Sequence, residues 1–199
     1  MYFKIYKTLI FISPLFSILI SIILLVDTTG IMLFGFLSAF LHELGHVVCM
    51  LFVGKTVEKI VLSPCGILIE TSGVSNYFSD LLIALSGPAV NLILGVVSLI
   101  ALSTVHTTSL LYFCASNFGL FLFNSLPVFG LDGMDVLRSF LQRRYSYSKT
   151  TIICKIISTS FLCVCAVSSV IFTLFDKINP TIYICLLYLL IISLINAKK

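Results

Sequence analysis

The sequence predicts an all-α polytopic membrane protein, with six transmembrane helices and a short membrane-associated β-hairpin, organised as a single domain over residues 1–199. Three observations predict it. The chain is 59% hydrophobic and 10% charged, with a mean hydropathy of +1.18, whereas soluble domains carry about 25% charged residues. Its uncharged runs reach the length of a bilayer span. Its Lys and Arg side chains collect on one side of the topology that those runs imply.

A spanning helix needs about 20 apolar residues. Residues 8–26, 156–175 and 178–197 carry no charge, and 28–54 carries only Glu43 beside two histidines. The uncharged run 81–131 is long enough for two spans, with the polar cluster Ser103-Thr104-Val105-His106-Thr107-Thr108-Ser109 as the turn between them. The predicted spans are 8–26, 31–53, 81–103, 108–126, 156–175 and 179–196. With the N-terminus in the cytoplasm, eleven of the twelve Lys and Arg residues fall inside and only Lys177 falls outside. That bias is the positive-inside rule, and it puts both termini in the cytoplasm. It also accounts for the net charge of +4, so no nucleic-acid partner is needed. Span 8–26 reads as a retained helix, because Val26-Asp27-Thr28-Thr29-Gly30 is not a signal-cleavage site.

Two connectors have structure of their own. Residues 57–70 form two β-rich runs around Pro64-Cys65-Gly66, a hairpin signal. Residues 126–133 form a Pro/Gly loop, and 134–144 form an amphipathic helix whose Met134, Leu137, Phe140 and Leu141 oppose Arg138, Gln142 and Arg143. The seven cysteines include no C-x-x-C pair. An odd number lying mostly in spans reads as structural thiols rather than a disulfide framework.

The chemistry sits in the second span, at His42-Glu43-Leu44-Gly45-His46. Positions i and i+4 of a helix share a face, so both imidazoles can bind one zinc ion. Glu43, one residue round, can reach a water at the metal and take its proton as a general base. H-E-x-x-H alone is a common string. Inside an apolar span it is not, because buried ionisable groups there are expensive and mark function. His46 lies seven residues before Val53, about 10 Å below the cytoplasmic surface. A catalytic zinc takes three protein ligands and keeps one open position. Glu70 and Asp132 are the serious candidates for the third ligand, with Asp80 and His106 behind them. Asp132 is favoured by its place in a Pro/Gly loop at the cytoplasmic mouth of the fourth span, because non-helical backbone at that depth lines cavities.

These elements together resemble the site-2 protease family of intramembrane zinc metalloproteases. The matching residues are His42-Glu43-Leu44-Gly45-His46 and the downstream Asn124-Ser125-Leu126-Pro127-Val128-Phe129-Gly130-Leu131-Asp132-Gly133, similar to that family's N-x-x-P…L-D-G element. Gly87-Pro88-Ala89-Val90-Asn91 is similar to its G-P-x-x-N element. The resemblance implies one zinc per chain, with Asp132 as third ligand beside His42 and His46. It implies that Asn124 and Pro127 shape the substrate site, and that Gly87, Pro88 and Asn91 pack helices near it. It also implies a hairpin that steers extended substrate. The compact layout is similar to the bacterial sporulation-type branch, which processes a sigma-factor precursor. There is no length between the spans for a PDZ domain, and none after the sixth for a CBS domain.

The expected activity is zinc-dependent endoproteolysis of a membrane-spanning or membrane-associated protein, as in regulated signalling. The expected setting is the lipid bilayer of a bacterial cell membrane, with a regulatory membrane partner or a second copy of the chain compatible with it. The alternatives are a membrane zinc transporter and a non-catalytic metal-binding scaffold. A transporter spreads polar groups along its spans, whereas here the ionisable groups concentrate at one place and include Glu43, for which a carrier has no use.

Overall fold

The computed structural model describes residues 2–5, 8–63, 66–73, 76–174 and 181–196. The chain is mostly helical, with one small sheet, and contacts divide it into two compact units, residues 1–123 and 124–199.

The first unit begins with β1 (Tyr2–Ile5) and β2 (Thr8–Ile12), followed by the helices α1 (Pro14–Val26) and α2 (Ile31–Phe52). Strands β3 (Thr56–Ser63) and β4 (Gly66–Ser72) come next, then α3 (Tyr77–Leu102) and α4 (Thr108–Asn124). The predicted hairpin is present as β3 and β4, antiparallel from Thr56↔Ser72 to Ser63↔Gly66, with a bulge between Val57 and Lys59. Its Pro64-Cys65 turn lies outside the described residues.

The sheet is larger than the hairpin. Its order is β1-β2-β3-β4. Strand β2 runs parallel to β3, from Leu9↔Lys59 to Ile12↔Leu62, and β1 pairs antiparallel with β2. This corrects the expected helix over 8–26: Thr8–Ile12 is a strand, and the helix begins only at Pro14. An apolar run of this length is compatible with either state. Partners decided between them. Thr8 Oγ1 donates to Val57 O at 2.8 Å, and Ser13 N–H donates to Leu62 O at 3.0 Å, so the chain is tied to β3 up to the residue before Pro14. Proline suits the first helical position because its missing N–H would have had no helical acceptor there.

Three described helices are long and apolar enough to cross a membrane by length and composition: Ile31–Phe52, Tyr77–Leu102 and Tyr147–Ile171. Pro14–Val26 and Ile182–Ile195 are shorter apolar helices. At 13 residues α1 is about 20 Å long, against a hydrocarbon core of about 30 Å. The start of α2 is capped from the preceding turn. The Asp27 carboxylate accepts N–H groups of Thr29, Gly30, Met32 and Leu33 at 2.8–3.3 Å. Desolvation pushes this carboxyl up. The Thr29 hydroxyl and the N–H groups of Leu33, Thr29 and Met32 outweigh it and hold Asp27 below its ordinary value.

The second unit holds α5 (Asp132–Gln142), α6 (Tyr147–Leu174) and α7 (Thr181–Asn196). Helix α5 is the expected amphipathic helix, begun two residues earlier, and α6 starts at Tyr147 rather than 156. A helix is not bound to stop where its charge-free run stops, so Lys149 and Lys155 ride on its first turns. Phe129, Met134 and Cys154 form a buried cluster with Leu137 and Leu141 packed on it, which matches three of the four residues read as the apolar face of α5; the fourth, Phe140, is exposed. The described cysteines are free.

Candidate metal centre

Helix α2 buries a stripe one residue wide: Ser38, His42 and His46, each four residues on from the last. Leu37, Phe40, Leu44 and Val48 point outward. The partner of that stripe is α3, whose buried face is Ala84, Gly87, Pro88, Asn91, Gly95 and Ser98. Small residues let the two backbones approach. A Cβ on Gly87 would land 2.7 Å from His42 Nε2 and closer still to His46 Nε2, so the α3 backbone lies directly against both imidazoles. Gly45 does the same from the other side, where a Cβ would meet Ser86 O at 3.0 Å and Val90 Cγ2 at 2.8 Å. Pro88 contributes by what it lacks: with no N–H, it leaves the Ala84 carbonyl without its helical donor and loosens the ladder beside the site.

The two imidazoles converge. Their Nε2 atoms are 3.2 Å apart and their rings are nearly perpendicular, at 82°. Two nitrogens held at about 2.0–2.1 Å from a tetrahedral zinc ion sit about 3.3 Å from each other. The spacing therefore fits one shared zinc. His46 Nδ1 faces Ile83 O at 2.8 Å, with Ser86 Oγ at 3.3 Å. A carbonyl only accepts, so Nδ1 carries the proton and Nε2 offers its lone pair. His42 Nδ1 faces the Asn91 side-chain amide at 3.1 Å. Glu43 is half-buried, one residue round the helix from His42.

The rival acidic candidates are engaged elsewhere in this unit. Glu70, on β4, pairs with Lys59 at 3.1 Å. Asp80, in the first turn of α3, pairs with Lys55 at 2.6 Å. His106 lies exposed between α3 and α4.

In the second unit, Asn124 and Pro127 are half-buried at the start of a tight loop. Val128 N–H donates to Leu126 O, Leu131 N–H to Val128 O, and Met134 N–H to Leu131 O, at 2.9–3.1 Å. Gly130 takes φ +90°, the left-handed region where a side chain would be strained. Phe129 N–H donates to Ser158 Oγ of α6 at 3.3 Å and anchors the loop. Asp132 follows as the first residue of α5, where an acidic side chain suits the helix N-terminus. Gly133 is required by crowding: a Cβ there would overlap Ser125 O and sit 2.7 Å from Leu126 O. Gly133 therefore has a folding reason of its own in this loop.

The sequence profile of the peptidase M50B-like family matches residues 15–130, more than half of the chain. The chain belongs to the peptidase M50B-like family. The matched stretch holds both histidines, Glu43, Gly87, Pro88, Asn91, Asn124 and Pro127, and ends two residues before Asp132. This M50B-like chain is also 36% identical over 121 residues to the zinc metalloprotease MJ0392 of Methanocaldococcus jannaschii, a match covering 58% of the chain and 35% of that relative's length. The chain thus spans about a third of the curated relative. The site-2 protease structure from the same organism superposes with a TM-score of 0.70 at 28% identity, over 99% of this chain and 94% of that one.

Ile83 and Ser86, which hold His46, had no signal in the sequence. One acts through a backbone carbonyl, and serine is unremarkable in any apolar helix.

Proposed function

We propose that the chain is a zinc-dependent intramembrane endopeptidase that cleaves membrane-spanning or membrane-associated proteins. The observation that carries the reading is the pair of imidazoles on an apolar helix, Nε2 to Nε2 at 3.2 Å, each with its other ring nitrogen held by α3. The metal is zinc, and the H-E-x-x-H string with the downstream L-D-G element supports His42, His46 and Asp132 as its ligands. Zinc, when bound, supplies a Lewis acid for the scissile carbonyl and makes a water acidic. Glu43 takes the proton from that attacking water and returns it to the departing amine nitrogen. Asn124 and Pro127 shape the place where substrate lies. The whole chain acts as one protease domain, with its six apolar helices in the bilayer and both ends on the cytoplasmic side, as the Lys and Arg distribution supports.

Asp132 is the ligand to test. Asp132→Asn should weaken zinc binding by more than about 100-fold, since losing even an indirect partner of a ligand costs about 10–100-fold. Zinc bound as tightly as by the unaltered chain would assign the third position to another group.

Substrate must be unwound before its carbonyl can be attacked, because a helix hides that carbonyl behind its own hydrogen bonds. Among the described residues β4 is an edge strand of the sheet, and that edge offers unwound chain a place to pair as an added strand. Proline at Leu68 should then slow cleavage while zinc content stays normal. An unchanged rate would remove the edge from the pathway.

A further inference from the structure

The His42 contact decides which nitrogen of that ring can bind metal. His46 is already arranged, with its proton on Nδ1 against Ile83 O and its lone pair on Nε2. His42 needs the same arrangement, because its Nε2 is the atom that converges on His46. Its Nδ1 must then carry a proton and must meet an acceptor. What stands there, at 3.1 Å, is the Asn91 amide, with Nδ2 as the facing atom. A nitrogen in that place would donate to Nδ1, drive the ring proton onto Nε2 and block the ligand atom. It would also leave Asn91 Oδ1 without a hydrogen-bond partner, on a side chain that is fully buried. Amide oxygen and nitrogen are told apart only by the bonds they make. Turned over, the same amide sets Oδ1 against His42 Nδ1–H and frees Nε2, with Nδ2 standing where Oδ1 was; the lone pair left on Nε2 is what favours this orientation.

We propose that Asn91 is a positioning residue whose carbonyl oxygen accepts from His42 Nδ1–H and holds His42 in the tautomer that ligates zinc. It does for His42 what the Ile83 backbone carbonyl does for His46. The two acceptors lie two turns apart on one face of α3, so a single helix orients both imidazoles. The inference rests on the zinc protease reading, and it concerns ligand orientation rather than catalysis.

Zinc affinity tests it, measured by chelator competition on the full chain in lipid nanodiscs for the unaltered protein, Asn91→Asp and Asn91→Leu. Asn91→Leu has the bulk and no acceptor, and should bind zinc about 10–100-fold more weakly. Asn91→Asp keeps the acceptor and loses the donor, and should bind at least as tightly as the unaltered chain. A structural requirement for asparagine would harm both variants alike. Equal weakening of two folded variants overturns the proposal, and so does undiminished binding by Asn91→Leu. Should Asn91→Leu not fold, the unaltered zinc-loaded chain labelled with ¹⁵N-histidine decides. A His42 Nδ1–H that is shifted downfield and slow to exchange supports the bond, and rapid exchange with water overturns it. Absence of zinc binding by the unaltered chain would instead take down the metal site itself, a result separate from either Asn91 outcome.

Discussion

Glu43→Gln should keep zinc binding within about twofold of the unaltered chain while its cleavage of membrane-tethered substrates falls by about 100- to 10,000-fold, the range that a general base contributes. The two halves of that result have separate causes. In the proposed site zinc is held by His42, His46 and Asp132; the Nδ1 partners of the two histidines are the Asn91 amide and Ile83 O, and neither of these two contacts involves Glu43. The amide of glutamine preserves size and polarity but cannot take a proton near neutral pH. Purified protein assayed against a panel of candidate substrates, with zinc determined alongside, reads both quantities. Zinc held by both proteins with equal cleavage would move the base to another group. Zinc held by both with no cleavage of any panel member would favour the metal-binding scaffold.

Gly87→Ala should lose more than about 100-fold in zinc affinity, an effect out of proportion to one methyl group. Alanine in place of glycine favours a helix interior by about 1 kcal/mol. At this position the new Cβ would sit 2.7 Å from His42 Nε2 and nearer to His46 Nε2, on the very atoms that must reach the metal. Overpacking costs about 1–3 kcal/mol where neighbours can yield. Here the neighbours are two rings already tethered through their other nitrogens. Gly35 on α2 supplies the control, since a Cβ there meets nothing within 4 Å. Gly35→Ala should leave zinc affinity unchanged. Matching losses in the two variants would show that the effect is not local to the imidazoles.

Much of the molecule was legible before folding. His42 and His46 could be paired because the helical period puts i and i+4 on one face, and an apolar run whose only charge is Glu43 pointed to that helix. The hairpin was legible from β-branched runs around Pro64-Cys65-Gly66, and α5 from its two-faced pattern. Strand β2 was not legible: Thr8–Ile12 is as apolar as the helix that follows, and its state depends on β3, more than 40 residues away in sequence. The choice among Glu70, Asp80 and Asp132 was open to placement arguments alone. The Lys59 and Lys55 pairings that occupy the first two arise only when β3 meets β4 and when α3 meets the end of α2.

The sequence by itself determined the solvent, the metal-binding residue types and their helical face, because hydrophobicity and the 3.6-residue period are properties of local chain. Only the tertiary structure decided which lone pairs those residues present. That depends on a backbone carbonyl, a turned amide and the missing side chain of Gly87, all on a second helix that the sequence places about 40 residues further on. Hydrogen-bond direction and close approach are relations between segments, and they come into being only when α2 and α3 pack.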